Sequence, residues 1–225
     1  MKSLQRFWHR NSPQLFLGEL LEKRWMEPII PFTLTIAVFL VFALTIPNYL
    51  RPSSLQELMR NFAEQGMVAV AMAFSILSGG LDLSVGAVFA MANFLAIYLY
   101  LILGLPLPLT IVLVILFGAA MGAINGGLIA YGKTRPFLTT LVVLIIVRAA
   151  YNKVTVAFTN ELASIDLGSG VWDFMGSGKI LGIPVNMAAL IVLAVSTHFF
   201  LTRVKPGVHI MAVGSSRKAA RHAGV

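Results

Sequence analysis

The chain has 225 residues, of which 58% are apolar, 12% are charged and none is Cys. Soluble domains carry about 25% charged residues, so soluble globular, disordered and disulfide-scaffold classes are excluded. The formal charge of +8 would suggest nucleic acid in a soluble protein, but here its distribution along the chain matters more than its sum. Without Cys there is no thiolate metal site or catalytic thiol, and His9, His198, His209 and His222 show no metalloprotease-type spacing. The apolar content suffices for roughly six spans of about 20 residues each. The expected fold class is therefore all-α: a polytopic integral membrane protein of about six transmembrane helices.

Residues 1–28 are polar and basic and read as a cytoplasmic N-terminal segment. Residues 29–46 are uncharged and are followed by Pro47 rather than a small-residue cleavage site, so they form a retained first span, not a signal peptide. Residues 67–103 hold a single charge, Asp82. A continuous helix of that length would run about 55 Å, nearly twice the hydrocarbon thickness of about 30 Å. It must break, and Gly79, Gly80, Leu81 and Asp82 mark the place, giving a broken helix pair around 79–83 with spans at 62–78 and 83–103. Gly104 and the prolines 106 and 108 end the third span and open a fourth at 109–131. Lys133, Arg135 and Pro136 separate it from a fifth at 137–157. A polar, Gly-rich loop then runs to a sixth span at 183–202, so that residues 29–202 form the membrane domain and 203–225 a basic cytoplasmic segment.

Basic residues in the connections orient such a chain. With six spans, one side holds Lys2, Arg6, Arg10, Lys23, Arg24, Lys133, Arg135, Arg203, Lys205, Arg217, Lys218 and Arg221, and the other only Arg51, Arg60 and Lys179. Twelve against three places both termini in the cytoplasm. The 158–182 loop, with Glu161, Asp166 and Asp173, then faces outward. The charge is a topology signal that calls for no nucleic acid.

Residues 127–134 match the phosphate-loop pattern GxxxxGK[ST], yet they end a membrane span instead of joining a strand to a helix, so they read as a membrane exit with basic anchors. Gly118, Gly122 and Gly126 recur on one face of the fourth span and predict close helix packing, within the subunit or at a subunit interface. Asn125 beside them needs a partner, either another helix or a transport path. Asp82 is the strongest single signal, because an ionisable group in an apolar stretch is costly and marks function. Either Asp82 or Ser84 can cap the third span, and a direct solute or gating role or a plain cytoplasmic turn stay open beside that. Arg148 and Lys153 in the fifth span either snorkel, pair with an acid or meet a polar solute. His198 reads as interfacial. Ser215 or Ser216 can cap a short end helix centred on Ala219 and Ala220 and closed by Gly224.

Together these segments resemble one family. LSGGLDLSVG (77–86), Asn125 with Gly126, RPFLTTL (135–141), Arg148, and AVGSSRKAARHAGV (212–225) are similar to ABC-transporter permeases of the ribose type, bacterial subunits that import monosaccharides. The resemblance covers about residues 65–225. It implies that Gly79, Gly80, Asp82, Ser84, Asn125 and Arg148 belong to the helix break or translocation path. It also implies that Gly214, Arg217, Ala219, Ala220 and Gly224 belong to a coupling helix that docks on a separate ATPase. Implied partners are ABC ATPase subunits, an extracytoplasmic sugar-binding protein, a second permease subunit (identical or sister) and the inner-membrane lipid. No cofactor belongs to this chain, since ATP would be bound by the ATPase. Arg135 stands where the family has Pro, Ser216 where it has Asn, and Arg217 and Lys218 where it often has an acid, so the ATPase would offer the opposite charge. Family members continue for several spans beyond this segment, which implies a truncated permease. A secondary transporter or channel for a small polar solute is the competing class. A membrane enzyme would need clustered nucleophile or acid–base groups, which the sequence does not offer.

Overall fold

The structure, a computed structural model, describes residues 26–164 and 170–224, with side chains from Ile29. The basic residues Lys2, Arg6, Arg10, Lys23 and Arg24, the acid Asp166 and the final Val225 lie outside the described residues. The chain divides after Glu57 into two compact units.

The first unit contains α1 (Met26–Thr45) and the start of α2 (Pro52–Leu77). The hydroxyls of Thr33, Thr35 and Thr45 donate to the carbonyls of Ile29, Pro31 and Val41 at 2.7–2.8 Å, so these three hydroxyls are satisfied within the helix. The helix closes at Asn48, whose φ of +66° is one that Asn tolerates. Tyr49 folds back there, edge-on to Phe39 at 5.7 Å and to Phe42 at 6.0 Å.

The second unit carries the remaining elements. After α2 come α3 (Val85–Ile97, continued by a π-helical turn Tyr98–Ile102), α4 (Leu107–Ala130) and α5 (Pro136–Ala157). Prolines sit at the first turns of α4 and α5, where the missing N–H costs nothing. The segment read as a loop contains two short helices, α6 (Thr159–Ala163) and α7 (Val171–Ser177). A hairpin of β1 (Lys179–Ile180) and β2 (Ile183–Pro184) follows, turning through Leu181 and Gly182 at φ of +52° and +84°. Next are α8 (Val185–Arg203), α9 (Lys205–Ser215) and α10 (Arg217–His222).

Four stretches, Val85–Ile102, Leu107–Ala130, Pro136–Ala157 and Val185–Arg203, are long and apolar enough to cross a membrane. The first two predicted spans fall short of that measure for visible reasons. The apolar part of α1 is the shorter Ile29–Thr45, and α2 begins at Pro52 and carries Glu57, Arg60 and Glu64 in its first half. A second difference is α9, a helix where the sequence reading placed only a basic connection.

The unit is apolar outside and partly polar inside. Side chains such as Ile115 and Val195 are more than 60% exposed, a liability in water but compatible with lipid. By contrast Ser84, Thr110, Asn125, Thr139 and Thr140 are buried. Ala87, Val143 and Val147 form a small apolar seam where α3 packs on α5. Two ends of the unit can be told apart. At one, Tyr98 meets Phe158 at 4.8 Å, Tyr100 stacks on Trp172 at 5.0 Å, and Arg60 donates to the Ser177 carbonyl at 2.6 Å. At the other, the α2–α3 break lies beside Pro136 and Gly214.

Candidate functional site

The break between α2 and α3 is built from backbone geometry. Gly79 adopts φ of +87°, which only glycine takes without strain. The Gly80 amide then reaches back to the Ser75 carbonyl and the Gly79 amide to the Ile76 carbonyl, both at 3.0 Å. These are the paired bonds of a Schellman stop, which satisfy the last carbonyls of α2. Beyond it the first amides of α3 need acceptors. Asp82 Oδ1 takes the Ser84 amide at 2.8 Å, and Thr140 Oγ1 of α5 takes the Leu83 amide at 3.1 Å. Asp82 therefore caps the helix start. Ser84, the other expected cap, makes no capping bond; its hydroxyl instead donates to Asp82 Oδ1 at 2.6 Å.

Asn125 of α4 completes a short chain of donors. Its Nδ2 donates to Ser84 Oγ at 2.8 Å and to Asp82 Oδ2 at 3.4 Å. Ser84 has no exposure at all and Asn125 only 5%, so these bonds are shielded from competing water. Asn125 Oδ1, however, has no partner among the described residues. Such an orphan acceptor calls for a ligand, a water or a change of state. Thr140 Oγ1 lies 3.2 Å from the Leu81 carbonyl and 3.0 Å from that of Pro136, tying α5 to the break.

These groups line a cavity of about 240 Å³, together with Ser75, Ser78, Gly80, Gly122, Gly126 and Arg217. Of the predicted path residues, Gly80, Asp82 and Asn125 line it, Ser84 and Gly79 shape it from behind, and Arg148 does not reach it. Arg148 lines a separate cavity of about 280 Å³ between α3 and α5.

The predicted coupling residues are likewise divided. Ser216 caps α10 by accepting the Ala219 amide at 3.3 Å, and Gly224 follows with φ of +81°. Ala219 is exposed, but Ala220 is buried in its own chain. Gly214 is packed against the end of α2: a Cβ there would lie 1.8 Å from the Leu77 carbonyl oxygen. Arg217 lines the Asp82 cavity.

One expectation needs correction. The Gly118, Gly122 and Gly126 face does not pack within the subunit, since a Cβ at any of them would meet no described atom within 4 Å. Gly122 and Gly126 open the cavity instead. The phosphate-loop match forms the α4–α5 connection, with Lys133 at φ of +52° and the Thr134 hydroxyl spent on the Leu128 carbonyl. Residues missed from sequence were Thr140, Ser75 and Ser78. The signal for Thr140 is a hydroxyl just inside an apolar helix, within the run RPFLTTL. Among the described residues no group of His, Asp or Glu could hold a metal.

A polytopic helical unit with a broken helix, a polar node and a terminal helix at the same end has the form of a transport permease. Residues 54–225 match the family described as branched-chain amino acid transport system / permease component, and the chain belongs to that family. It is 32% identical over 205 residues to the ribose import permease protein of Bacillus subtilis, covering 89% of this chain and 61% of that protein. It is 27% identical over 208 residues to the ribose import permease protein of Escherichia coli K12, covering 90% and 63%, and 26% identical to the D-allose transport system permease protein of that strain, covering 86% and 58%. The chain thus spans about three fifths of the length of these relatives. These relatives are transport permeases, not enzymes. No solved structure matches the chain.

Proposed function

We propose that the chain is a membrane-spanning permease subunit of an ATP-driven importer of monosaccharides. One observation carries the reading. Arg217 of the terminal α10 lines the same cavity as Asp82 and Asn125, and Gly214 lies against the end of α2. A force applied at α10 therefore acts directly on the broken helix. In this reading α10 docks on a separate ABC ATPase, which alone binds ATP, and Ala219, exposed beside Arg217 and Lys218, offers the contact surface. The ATPase surface would be acidic there.

The end carrying the break, the α4–α5 connection and α9–α10 is cytoplasmic, in keeping with Lys133, Arg135, Arg203, Lys205, Arg217, Lys218 and Arg221. Both termini lie on that side of the inner membrane. The opposite end, with α6, α7 and the hairpin, receives a sugar-binding protein. A second permease subunit, identical or sister, completes the path. Gly79, Gly80, Asp82, Ser84, Asn125 and Arg148 border that path.

The test is uptake of labelled ribose, fructose, allose and arabinose by cells carrying the chain with its neighbouring transport genes. Ala219→Trp should abolish uptake while leaving membrane insertion intact, and should lower recovery of the ATPase on co-purification. Uptake that persists after the ATPase is deleted would instead indicate a secondary transporter or channel.

A further inference from the structure

Helix α5 carries a second feature that the break does not explain. Arg148 lies twelve residues, about 18 Å, beyond Pro136, which is near the middle of a hydrocarbon layer about 30 Å thick. That depth is beyond easy snorkelling, and Arg148 forms no ion pair or hydrogen bond with any described residue. A cation at such depth is held where it faces water or protein, not lipid. The structure supplies the place: a cavity of about 280 Å³ walled on one side by Arg148, Tyr151 and Asn152 and on the other by Gly86, Ala87 and Ala90 of α3. The small residues make the room, and the α5 residues make it polar.

The register of α5 extends the point. Pro136 and Thr140, which line the Asp82 cavity, stand on the same helical face as Leu144, Arg148, Tyr151 and Asn152, at spacings of three and four residues. The adjoining face behaves differently. Thr139, Val142, Val143, Ile146 and Val147 border an apolar cleft toward α4 that exposes no polar surface. One side of the α3–α5 seam thus carries polar groups at Thr140, Arg148, Tyr151 and Asn152, and the other carries Thr139 at its end and only apolar residues beyond it.

We infer that the groove between Gly86, Ala87 and Ala90 of α3 and Arg148, Tyr151 and Asn152 of α5 is a water-filled solute site for a polyhydroxylated ring, with Tyr151 and Asn152 as further specificity residues. The guanidinium and the Asn152 amide donate to hydroxyl and ring oxygens, and the Tyr151 ring offers an apolar face for the C–H side of a sugar. No carboxylate among the described residues lines the groove, so its donors are free for a neutral solute. Its volume lies close to the small end of ligand pockets, about 300 Å³. The inference rests on the permease reading and names where in the path the solute is held.

The chain has no native Cys, so single cysteines report on the groove directly. In membranes containing the assembled transporter, Ala90→Cys and Asn152→Cys should react with a charged, membrane-impermeant thiosulfonate at least tenfold faster than Val142→Cys on the apolar face. Labelling after denaturation in detergent corrects for expression. Millimolar D-ribose, fructose, allose or arabinose, whichever the parental transporter takes up, should slow the reaction at Asn152→Cys at least threefold. Equal slow rates at all three positions would overturn the groove, and fast labelling unaffected by the transported sugar would overturn the solute site. Sugar uptake by the parental transporter is measured in parallel. If it is absent, the permease reading fails whatever the labelling shows; if it is present and the groove cysteines are inert, only the groove assignment fails.

Discussion

Replacing Asp82 by Ala removes one acceptor on which two donors of a single buried residue depend. The Ser84 amide and hydroxyl lie 2.8 and 2.6 Å from Asp82 Oδ1, and Ser84 has no exposure. Each buried donor left without a partner costs about 1–3 kcal/mol. Asp82 itself is half-buried at the cavity wall, so water entering the vacated volume recovers part of that cost. A net destabilisation of about 2–4 kcal/mol follows from these terms. Asp82→Asn keeps an oxygen for both donors of Ser84 and gives up only the long 3.4 Å bond from Asn125 Nδ2, so its cost should stay at about 1 kcal/mol. Thermal or denaturant unfolding of the purified protein in detergent measures both. If Asp82→Ala unfolded like the parent, the cap would not hold the break. If Asn were as damaging as Ala, the charge rather than the acceptor would matter.

Asn125→Leu removes an amide whose oxygen is already unpaired, so stability should change by less than about 1–2 kcal/mol while uptake falls at least tenfold; equal losses of both would assign Asn125 to structure alone. Gly214→Ala should destabilise by about 1–3 kcal/mol, because its Cβ would stand 1.8 Å from the Leu77 carbonyl oxygen, and neutral behaviour in the same unfolding assay would refute the α9–α2 contact. Gly118→Ala meets open space and should stabilise α4 by about 0.5–1 kcal/mol; a clear loss would show that this face is covered in the assembled protein. Cysteines at Asp173 and Arg217 should react with impermeant reagent from the outside and the inside respectively, and labelling of both from one side would refute the topology.

The helix break was legible because the physics admits few solutions. Residues 67–103 are too long for one span, and Gly79 is the position where a left-handed stop can form. The caps of α10 were legible for the same reason: Ser216 and Gly224 are residues whose chemistry is local. What sequence could not give is which face of a helix meets which neighbour. Gly118, Gly122 and Gly126 carry the pattern of a packing stripe, and the pattern is the same whether helix, partner or cavity lies opposite. Thr140 was invisible because its role depends on a partner 57 residues away, the Leu83 amide. Helix α9 is not announced by its sequence, because Pro206 and Gly207, both poor helix formers, stand in its first turn. Pro at the start of a helix is tolerated, and Gly207 is buried where a Cβ would strike the Phe200 carbonyl at 2.2 Å.

That last contact bears on how α10 could act on the membrane domain. Gly207 lets α9 fold back tightly on α8, and Gly214 seats its other end on the carbonyl that closes α2. Close-packed backbone has no slack to absorb a displacement, so a push on α10 shifts α2, α8 or both. The Schellman stop at Gly79 and the Asp82 cap lie within a few residues of that seat, and they fix the direction in which α3 leaves the break. A small movement at Gly214 therefore becomes a reorientation of α3 against α5 more readily than a translation of the whole bundle. In the permease reading, that would couple the cytoplasmic end helix to the width of the α3–α5 groove. On that proposal the shortest route from an ATPase to a solute would run through the broken helix, with α8 as its anchor.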